Sequence, residues 1–449
     1  MGQSSSHRRP KVVLIPWGTV IEDYLNPIGR SLAEFRTQMT GGWLFNYVQA
    51  LQLAGVDPVI LVFSAEARHV DHAVHEPTGV PFITHPATSI ARLVHKPNPR
   101  RSGGDLNVGG RQPRAKGFLR SIVLEASRYL STPAGLLAHT LRESGASAVL
   151  CQDYEWERFD IIVRVGRRLG IPVFGVFQGG SINAGFISRV VRSSSIRNSA
   201  GLIIGSRREV QRVRTTYGIP ASAIGEFPNP IPFEEVRVQD ARAARGELEI
   251  PGDAFVVGWH GRVELHAKGL DLLAAAWHQL VAEASDRPRV LLMIGSGTHD
   301  EQLRELLGPR LRDGSIRWLN EYTTDRSRIY HYLSAANVYV FPSRKEGFPV
   351  APQEAMALGL PIVAAQAHGI DEIAPNGEAD GAIRIPADDA NALAHVLSDL
   401  SRDPDRVARL GAAAQRRIAE GFAMKPVGRA MRAWLHQRGL QHRESSASP

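Results

Sequence analysis

What most limits the folds open to this chain is an alternation that runs almost from end to end. Short β-branched or apolar runs are separated by segments of helix length. Lys11 to Trp17, Pro58 to Phe63, Ala148 to Cys151, Pro172 to Phe177 and Gly201 to Ile204 read as buried strands. Between them, Trp43 to Leu53, Trp156 to Leu169 and Arg207 to Tyr217 carry helical periodicity. Strand followed by helix, repeated, predicts a parallel sheet covered on both faces. The alternation breaks at Phe227-Pro228-Asn229-Pro230-Ile231-Pro232, whose prolines forbid helix and disfavour a central strand. It then restarts, with strands expected at Phe255 to His260, Val290 to Ile294, Val338 to Phe341 and Ile362 to Ala364. Helices are expected at Leu270 to Ala284, Asp300 to Leu311, Ser327 to Ala336 and Val350 to Leu358. The expectation is two doubly wound α/β units. Residues 1–228 form the first, with C-terminal helices in 405–438 packing back on it; residues 229–404 form the second, and 439–449 a flexible tail. Ser206 with Glu209, and Thr298 with Glu301, have the spacing of capping boxes.

Composition enters as a filter. A hydrophobic fraction of 43% and a charged fraction of 22% exclude wholesale disorder, collagen and coiled coil. The single cysteine, Cys151, excludes an intramolecular disulfide and any multi-cysteine metal centre. No apolar run approaches the roughly 18 residues that span a bilayer, and Met1 to Pro10 lack a signal-peptide core. The expected location is therefore cytoplasmic, with room for a peripheral place at the inner face of a membrane. Gly2-Gln3-Ser4-Ser5-Ser6 fits the loose N-myristoylation pattern but is read as a Ser-rich start. The formal net charge is +8. Nearly all of it comes from Arg92 to Arg120, which holds eight Lys or Arg, one Asp and two glycine pairs. This segment is read as a long basic loop leading into an amphipathic helix with Leu119, Ile122, Val123 and Ala126 on one face. Its Arg100, Arg101, Arg111 and Arg114 are candidates for meeting an anionic membrane or acceptor.

The densest chemistry lies in the second half. Phe341-Pro342-Ser343-Arg344-Lys345-Glu346-Gly347-Phe348-Pro349 runs from a strand into a turn, and Glu354 follows in the next helix. A carboxylate can accept two hydroxyl hydrogen bonds, which suits a ribose diol or a sugar. Upstream, Gly261 and Arg262 end a strand, and Lys268-Gly269 precede a helix. Two cations at a strand-to-helix turn are what a diphosphate requires, although taken alone they read equally well as solvated surface charges. In the first half, Gly41-Gly42 opens a helix where backbone N–H groups could approach a phosphate or sugar closely.

Taken together, Gly41-Gly42, Arg262 with Lys268-Gly269, and Glu346 with Glu354 around Gly347-Phe348-Pro349 resemble the retaining glycosyltransferases of the GT-B fold, glycosyltransferase family 4. The resemblance is dense over Phe255 to Ala365 and looser over the first 230 residues. It implies two Rossmann-like domains facing each other across a cleft, a nucleotide-sugar donor held by the C-terminal domain and an acceptor held by the N-terminal one. It implies further that Arg262 and Lys268 hold the diphosphate, Glu354 the ribose and Glu346 the transferred sugar. The amides at 347–349 would then fix donor orientation, and Gly41 and Gly42 would line the N-domain side of the cleft. The acceptor would be a glycan, a lipid-linked molecule or a small molecule. Where the family commonly has a histidine after an N-domain strand, this chain has Gln178, which can hydrogen-bond a sugar but cannot titrate. No cofactor and no metal are expected, because two cations and helix dipoles already neutralise a diphosphate.

Other templates fit less well. Gly295-Ser296-Gly297 lacks the third glycine of a dinucleotide fingerprint. Asp403-Pro404-Asp405 imitates a metal-binding D-x-D but is read as a helix cap. Sixteen histidines show no metal spacing, and His260 and His266 are read as packed or solvated. The rival functions are polyanion or RNA binding through 92–120, and other chemistry on the same architecture, such as a sugar-nucleotide epimerase or a phosphorylase.

Overall fold

A computed structural model describes residues 9–16, 19–94, 122, 125–179, 185–236, 240–321, 323, 325–344, 346–366 and 369–441. By contact the chain separates into two compact units. One is residues 1–39, 44–228 and 425–449; the other is residues 40–43 and 229–424.

The first unit holds β1 (Lys11–Ile15), β2 (Asp57–Ser64), β3 (Asp71–His75), β4 (Val80–Pro86), β5 (Ala148–Gln152), β6 (Val173–Val176), β7 (Gly201–Ile203) and β8 (Ile224–Gly225). They form one sheet in the order β3-β4-β2-β1-β5-β6-β7-β8. Every pairing is parallel except β3 with β4. Val13, Ile15, Leu61, Val149 and Cys151 pack one face against Leu137, Phe159 and Ile162 from the helices Ala134–Glu143 and Glu157–Leu169. The β-branched runs are fully apolar because a parallel sheet is buried on both sides.

The second unit holds β9 (Phe255–His260), β10 (Arg289–Ile294), β11 (Ile316–Leu319), β12 (Val338–Phe341), β13 (Ile362–Ala365) and β14 (Ala382–Ile385). They form an all-parallel sheet in the order β11-β10-β9-β12-β13-β14. Alternate residues of each strand feed two cores. Val257, Trp259 and Met293 pack with Leu273 and Trp277, while Val256, Leu292, Tyr339 and Phe341 pack with Met356 and Ile373. This is the period-2 placement of side chains on a pleated strand.

Several expectations are corrected. The helix Pro404–Gly421 packs within the second unit, because Ala414 and Ile418 belong to its core and Gly381 lies against the backbone of Ala414. Only the last helix, Met424–Gln437, joins the first unit: Trp434 packs on Phe174 and Phe227, and Arg432 Nη1 donates to the Ala54 carbonyl at 2.5 Å. The expected tail begins later than residue 439, since Leu440 is fully buried. Neither capping box forms. Ser206 makes no cap bond, because Glu209 is drawn to the Tyr154 hydroxyl and to Arg212. The helix Asp300–Leu307 starts at His299, and Asp300 accepts from the Gly297 amide instead. Asp403 does cap a helix, accepting from the Arg406 amide at 2.8 Å. Of the basic segment 92–120, only residues 92–94 fall within the described residues, so Arg100, Arg101, Arg111 and Arg114 lie outside them; of the expected amphipathic face, Ile122 and Ala126 are described and Leu119 and Val123 are not.

Candidate active site

Strand order reverses in the second unit between β9 and β12, and ligands of open α/β sheets bind beyond the carboxyl ends of strands at such a point. The turn leaving β9 is pinned by backbone bonds: the Gly261 amide donates to Ile294 and the Val263 amide to Ser296, both at 3.0 Å. Gly295 and Gly297 make this possible, because a Cβ on either would run into the backbone of Gly261 or Val263. The glycine pair that fails as a dinucleotide motif is thus a seat for the Arg262 turn. Arg262 sits 3.2 Å from Glu264, yet its Nη1 is buried without a hydrogen-bond partner among the described residues. A buried guanidinium N–H left unpaired is a donor waiting for an acceptor.

Lys268 and Glu346, which arrive from the ends of different strands, are brought together: Nζ lies 2.8 Å from Oε1, with 24% and 12% of the two side chains exposed. Gly269 follows Lys268 at φ +63° and precedes the helix Leu270–Ala282. Glu354 lies in the first turn of the helix Ala351–Ala357, almost fully buried. It is held apart from the Lys268–Glu346 pair by partners of its own. His260 Nε2 is 3.1 Å away, the Tyr330 hydroxyl 3.3 Å and Arg326 Nη1 3.3 Å. Burial alone would raise the Glu354 carboxyl, but Arg326, His260 and Tyr330 hold it below the usual carboxylate range. Gly347, Phe348 and Pro349 are buried. Asn229 Nδ2 donates to the Phe348 carbonyl at 3.0 Å and Gln353 Nε2 to the Pro349 carbonyl at 2.7 Å.

The remaining candidates are placed as follows. Gly41 and Gly42 have φ of +72° and +67°, and residues 40–43 group by contact with the second unit rather than with the rest of the N-terminal half. Gln178 lies in the first unit just beyond β6, its amide donating to Asp153 Oδ1 at 3.2 Å. Among the described residues no group of three His, Cys, Asp or Glu could hold a metal ion. Cys151 is buried, with its thiol pushed up to about 12 by burial, which leaves it without thiolate character. A cavity of about 670 Å³ in the first unit, lined by Val59, Ile83, Leu136 and His139 among others, contains none of the candidate residues. Sequence reasoning missed Arg326 and Tyr330, which carry no local motif. It also took His260 for a packed or solvated residue, although a histidine closing a strand at this turn was a usable signal.

Two doubly wound units, with cations and carboxylates at the switch point of the second, define the class as a two-unit α/β protein. The solved structures that share the fold make the class more specific: the architecture is GT-B. Sucrose-phosphate synthase from Thermosynechococcus elongatus is similar over 96% of this chain and 99% of its own, with a TM-score of 0.64 and 19% identity. Anabaena HepE in complex with UDP is similar over 95% of this chain and 100% of its own, with a TM-score of 0.65 and 14% identity. Residues 254–403 match the Glycosyl transferases group 1 family. The lipopolysaccharide core biosynthesis mannosyltransferase LpsB of Rhizobium meliloti is 27% identical over 253 residues, 54% of this chain and 70% of that protein. A D-inositol 3-phosphate glycosyltransferase of Streptomyces bingchenggensis is 30% identical over 236 residues, 51% of each. The chain spans about half to two thirds of the length of most of the curated relatives it matches.

Proposed function

We propose that the protein transfers a glycosyl group from a nucleoside-diphosphate sugar to an acceptor hydroxyl, with retention at the anomeric carbon and without a metal. The observation that carries this reading is the Lys268–Glu346 pair at a strand switch point, beside a buried Arg262 N–H that has no partner among the described residues. In the absence of donor, Glu346 neutralises Lys268. When a diphosphate arrives, Lys268 shares its charge with the phosphates and Glu346 is released to accept sugar hydroxyls. Arg262 and Lys268 then stabilise the charge that grows on the departing diphosphate. Glu346, bonded to a lysine, is an orienting and electrostatic group rather than a base; the leaving diphosphate oxygen takes the acceptor proton. Glu354 is ionised and receives the ribose, with Arg326, the most exposed of its partners, yielding to the diol. Gly261 and the buried turn at 347–349 hold the donor's orientation.

The relatives are named as transferases and synthases, which favours transfer over epimerisation or phosphorolysis. Nothing observed favours a non-enzymatic RNA-binding role. We extend the proposal to the basic segment, whose arginines at 100, 101, 111 and 114 would meet an anionic acceptor or the anionic face of a membrane.

The test begins with UDP, GDP, ADP and their sugars in thermal-shift measurements. A bound ligand at about a hundred times its Kd stabilises the native state by about 2.7 kcal/mol. With the donor so identified, Lys268→Ala should lower kcat/KM by about 10²- to 10³-fold, the scale of losing one charge-stabilising donor. Glu354→Gln should act mainly on donor KM. Wild-type kcat/KM in both variants would remove the site assignment.

A further inference from the structure

We infer that Arg344 is a positioning residue that sets the Lys268–Glu346 pair by buttoning together the two loops that carry it. The inference rests on the donor-site reading above and assigns a role to a residue that reading does not use.

Arg344 stands three residues beyond β12, in the loop that goes on to Glu346, and reaches across to the loop that carries Lys268. Its own amide donates to the Ala267 carbonyl at 3.0 Å. Its Nη1 donates to the His266 carbonyl at 2.9 Å and to Asp271 Oδ1 at 2.6 Å, and its Nη2 donates to Asp271 Oδ2 at 3.0 Å. Its Nε donates to Asp388, a residue at φ +60° beyond β14. Only 17% of the side chain is exposed. The backbones interlock as well: a Cβ on Gly269 would run into the Pro342 carbonyl, so the two loops lie in contact on either side of the arginine.

Donor accounting separates this cation from its neighbours. A guanidinium has five N–H groups in a rigid fork. Arg344 commits four of them to the protein, whereas Arg262 keeps a buried one without a partner among the described residues. Arg344 is therefore engaged in holding structure, whereas Arg262, paired through Nε with Glu264, still has an Nη1 donor to offer a ligand. An isolated exposed ion pair would be of little consequence. Here the bidentate geometry, the two carbonyls and the low exposure tie the turn at 266–268, the first turn of the helix Leu270–Ala282 and the loop residues 342–344 to one side chain. A misplacement of about 1 Å in a reacting group costs about a hundredfold in rate, so a loose button would show in turnover before it shows in affinity.

Two readouts test this in the whole 449-residue chain. The first is transfer kinetics set beside the Kd of whichever nucleoside diphosphate gives the largest thermal shift. The second is the acylation rate of Lys268 by an amine reagent, followed by peptide mapping, which reports whether Glu346 still holds the amine. Arg344→Gln should lower kcat at least about tenfold, leave the nucleotide Kd within about threefold, and speed Lys268 acylation several-fold. Arg344→Lys should behave like Arg344→Gln, because a single ammonium cannot span Asp271 and the His266 carbonyl. If Arg344→Gln does not fold, Asp388→Asn, which weakens only the Nε contact, should give the same pattern at smaller amplitude. A Kd that weakens in parallel with kcat would make Arg344 a ligand contact and overturn the inference. Unchanged Lys268 acylation, or unchanged kcat, would overturn it as well. A wild-type chain that transfers from no donor would sink the transferase reading alone, and Lys268 acylation would still decide whether Arg344 sets the pair.

Discussion

Asp153 shows how one residue can carry both backbone strain and a displaced titration. It follows β5 at φ +55°, in a region that non-glycine residues seldom adopt and that asparagine and aspartate tolerate best. Its carboxylate is nine-tenths buried and accepts from the Gln178 amide and from Gln152 Nε2. Burial pushes its pKa up to about 7, with Glu155 and Glu209 adding to the rise. The folded state therefore keeps a proton that the unfolded chain releases near pH 4. The associated stability is fully present below about pH 4 and is lost as pH rises through about 7. Asp153→Asn keeps the left-handed backbone and the acceptor for Gln178 but cannot ionise. Urea unfolding at several pH values should show the variant gaining on wild type between pH 4 and 7, with a constant advantage above that; a pH-independent difference would contradict the assignment. Glu354 is the opposite case. It is buried too, but three donors surround it and it stays ionised.

Among the helices, the start of Pro404–Gly421 illustrates what a local pattern can and cannot say. Asp403 accepts from the Arg406 amide and proline occupies the first helical position, so the D-P-D sequence is a cap in the structure. Asp403→Ala should cost about 1 kcal/mol of stability, the usual worth of an N-cap, as a shift in the denaturation midpoint with unchanged slope. An effect of divalent metal that vanished with the substitution would instead revive the metal reading. The two mistaken capping boxes have the same spacing as the one that does form, at Ser31 and Glu34. What separates them is competition and register: Glu209 has Tyr154 and Arg212 within reach, and the helix after Thr298 takes His299 as its N-cap, so Thr298 and Glu301 fall outside the N-cap and third positions. The main strands and the unit boundary near residue 228 were legible because apolar runs and proline punctuation are local signals. The β3–β4 hairpin was not, because Asp71–His75 is largely exposed and polar and Val80–Pro86 contains two prolines. In the candidate site, Arg262, Lys268, Glu346 and Glu354 are singled out by the combination that resembles glycosyltransferase family 4, since the spacing of each pair alone reads equally well as solvated charge. The His260, Tyr330 and Arg326 shell around Glu354 could not be read this way, because it assembles from β9 and the helix Arg326–Leu333, far apart in the chain.

Across the whole molecule, charge is distributed very unevenly. The net +8 is almost all in residues 92–120, so the rest of the chain is close to neutral and long-range attraction to anions should act through that segment. The segment belongs to the first unit, whereas the donor-side candidates Arg262, Lys268, Glu346 and Glu354 all belong to the second. The two activities proposed for the chain, donor binding and contact with an anionic surface or acceptor, should therefore separate on mutation. Replacing Arg100, Arg101, Arg111 and Arg114 by glutamine removes four charges from the net +8. Basic residues near an anionic bilayer contribute about 1 kcal/mol each, so co-sedimentation with phosphatidylserine vesicles should weaken by up to about a thousandfold. The effect should fade in the wild type as salt shortens the Debye length from about 10 Å at 0.1 M toward 3 Å at 1 M. The thermal shift produced by the nucleotide should stay at its wild-type value. Loss of the nucleotide shift together with vesicle binding would mean that the segment supports the donor site, and unchanged vesicle binding would leave it a solvated loop.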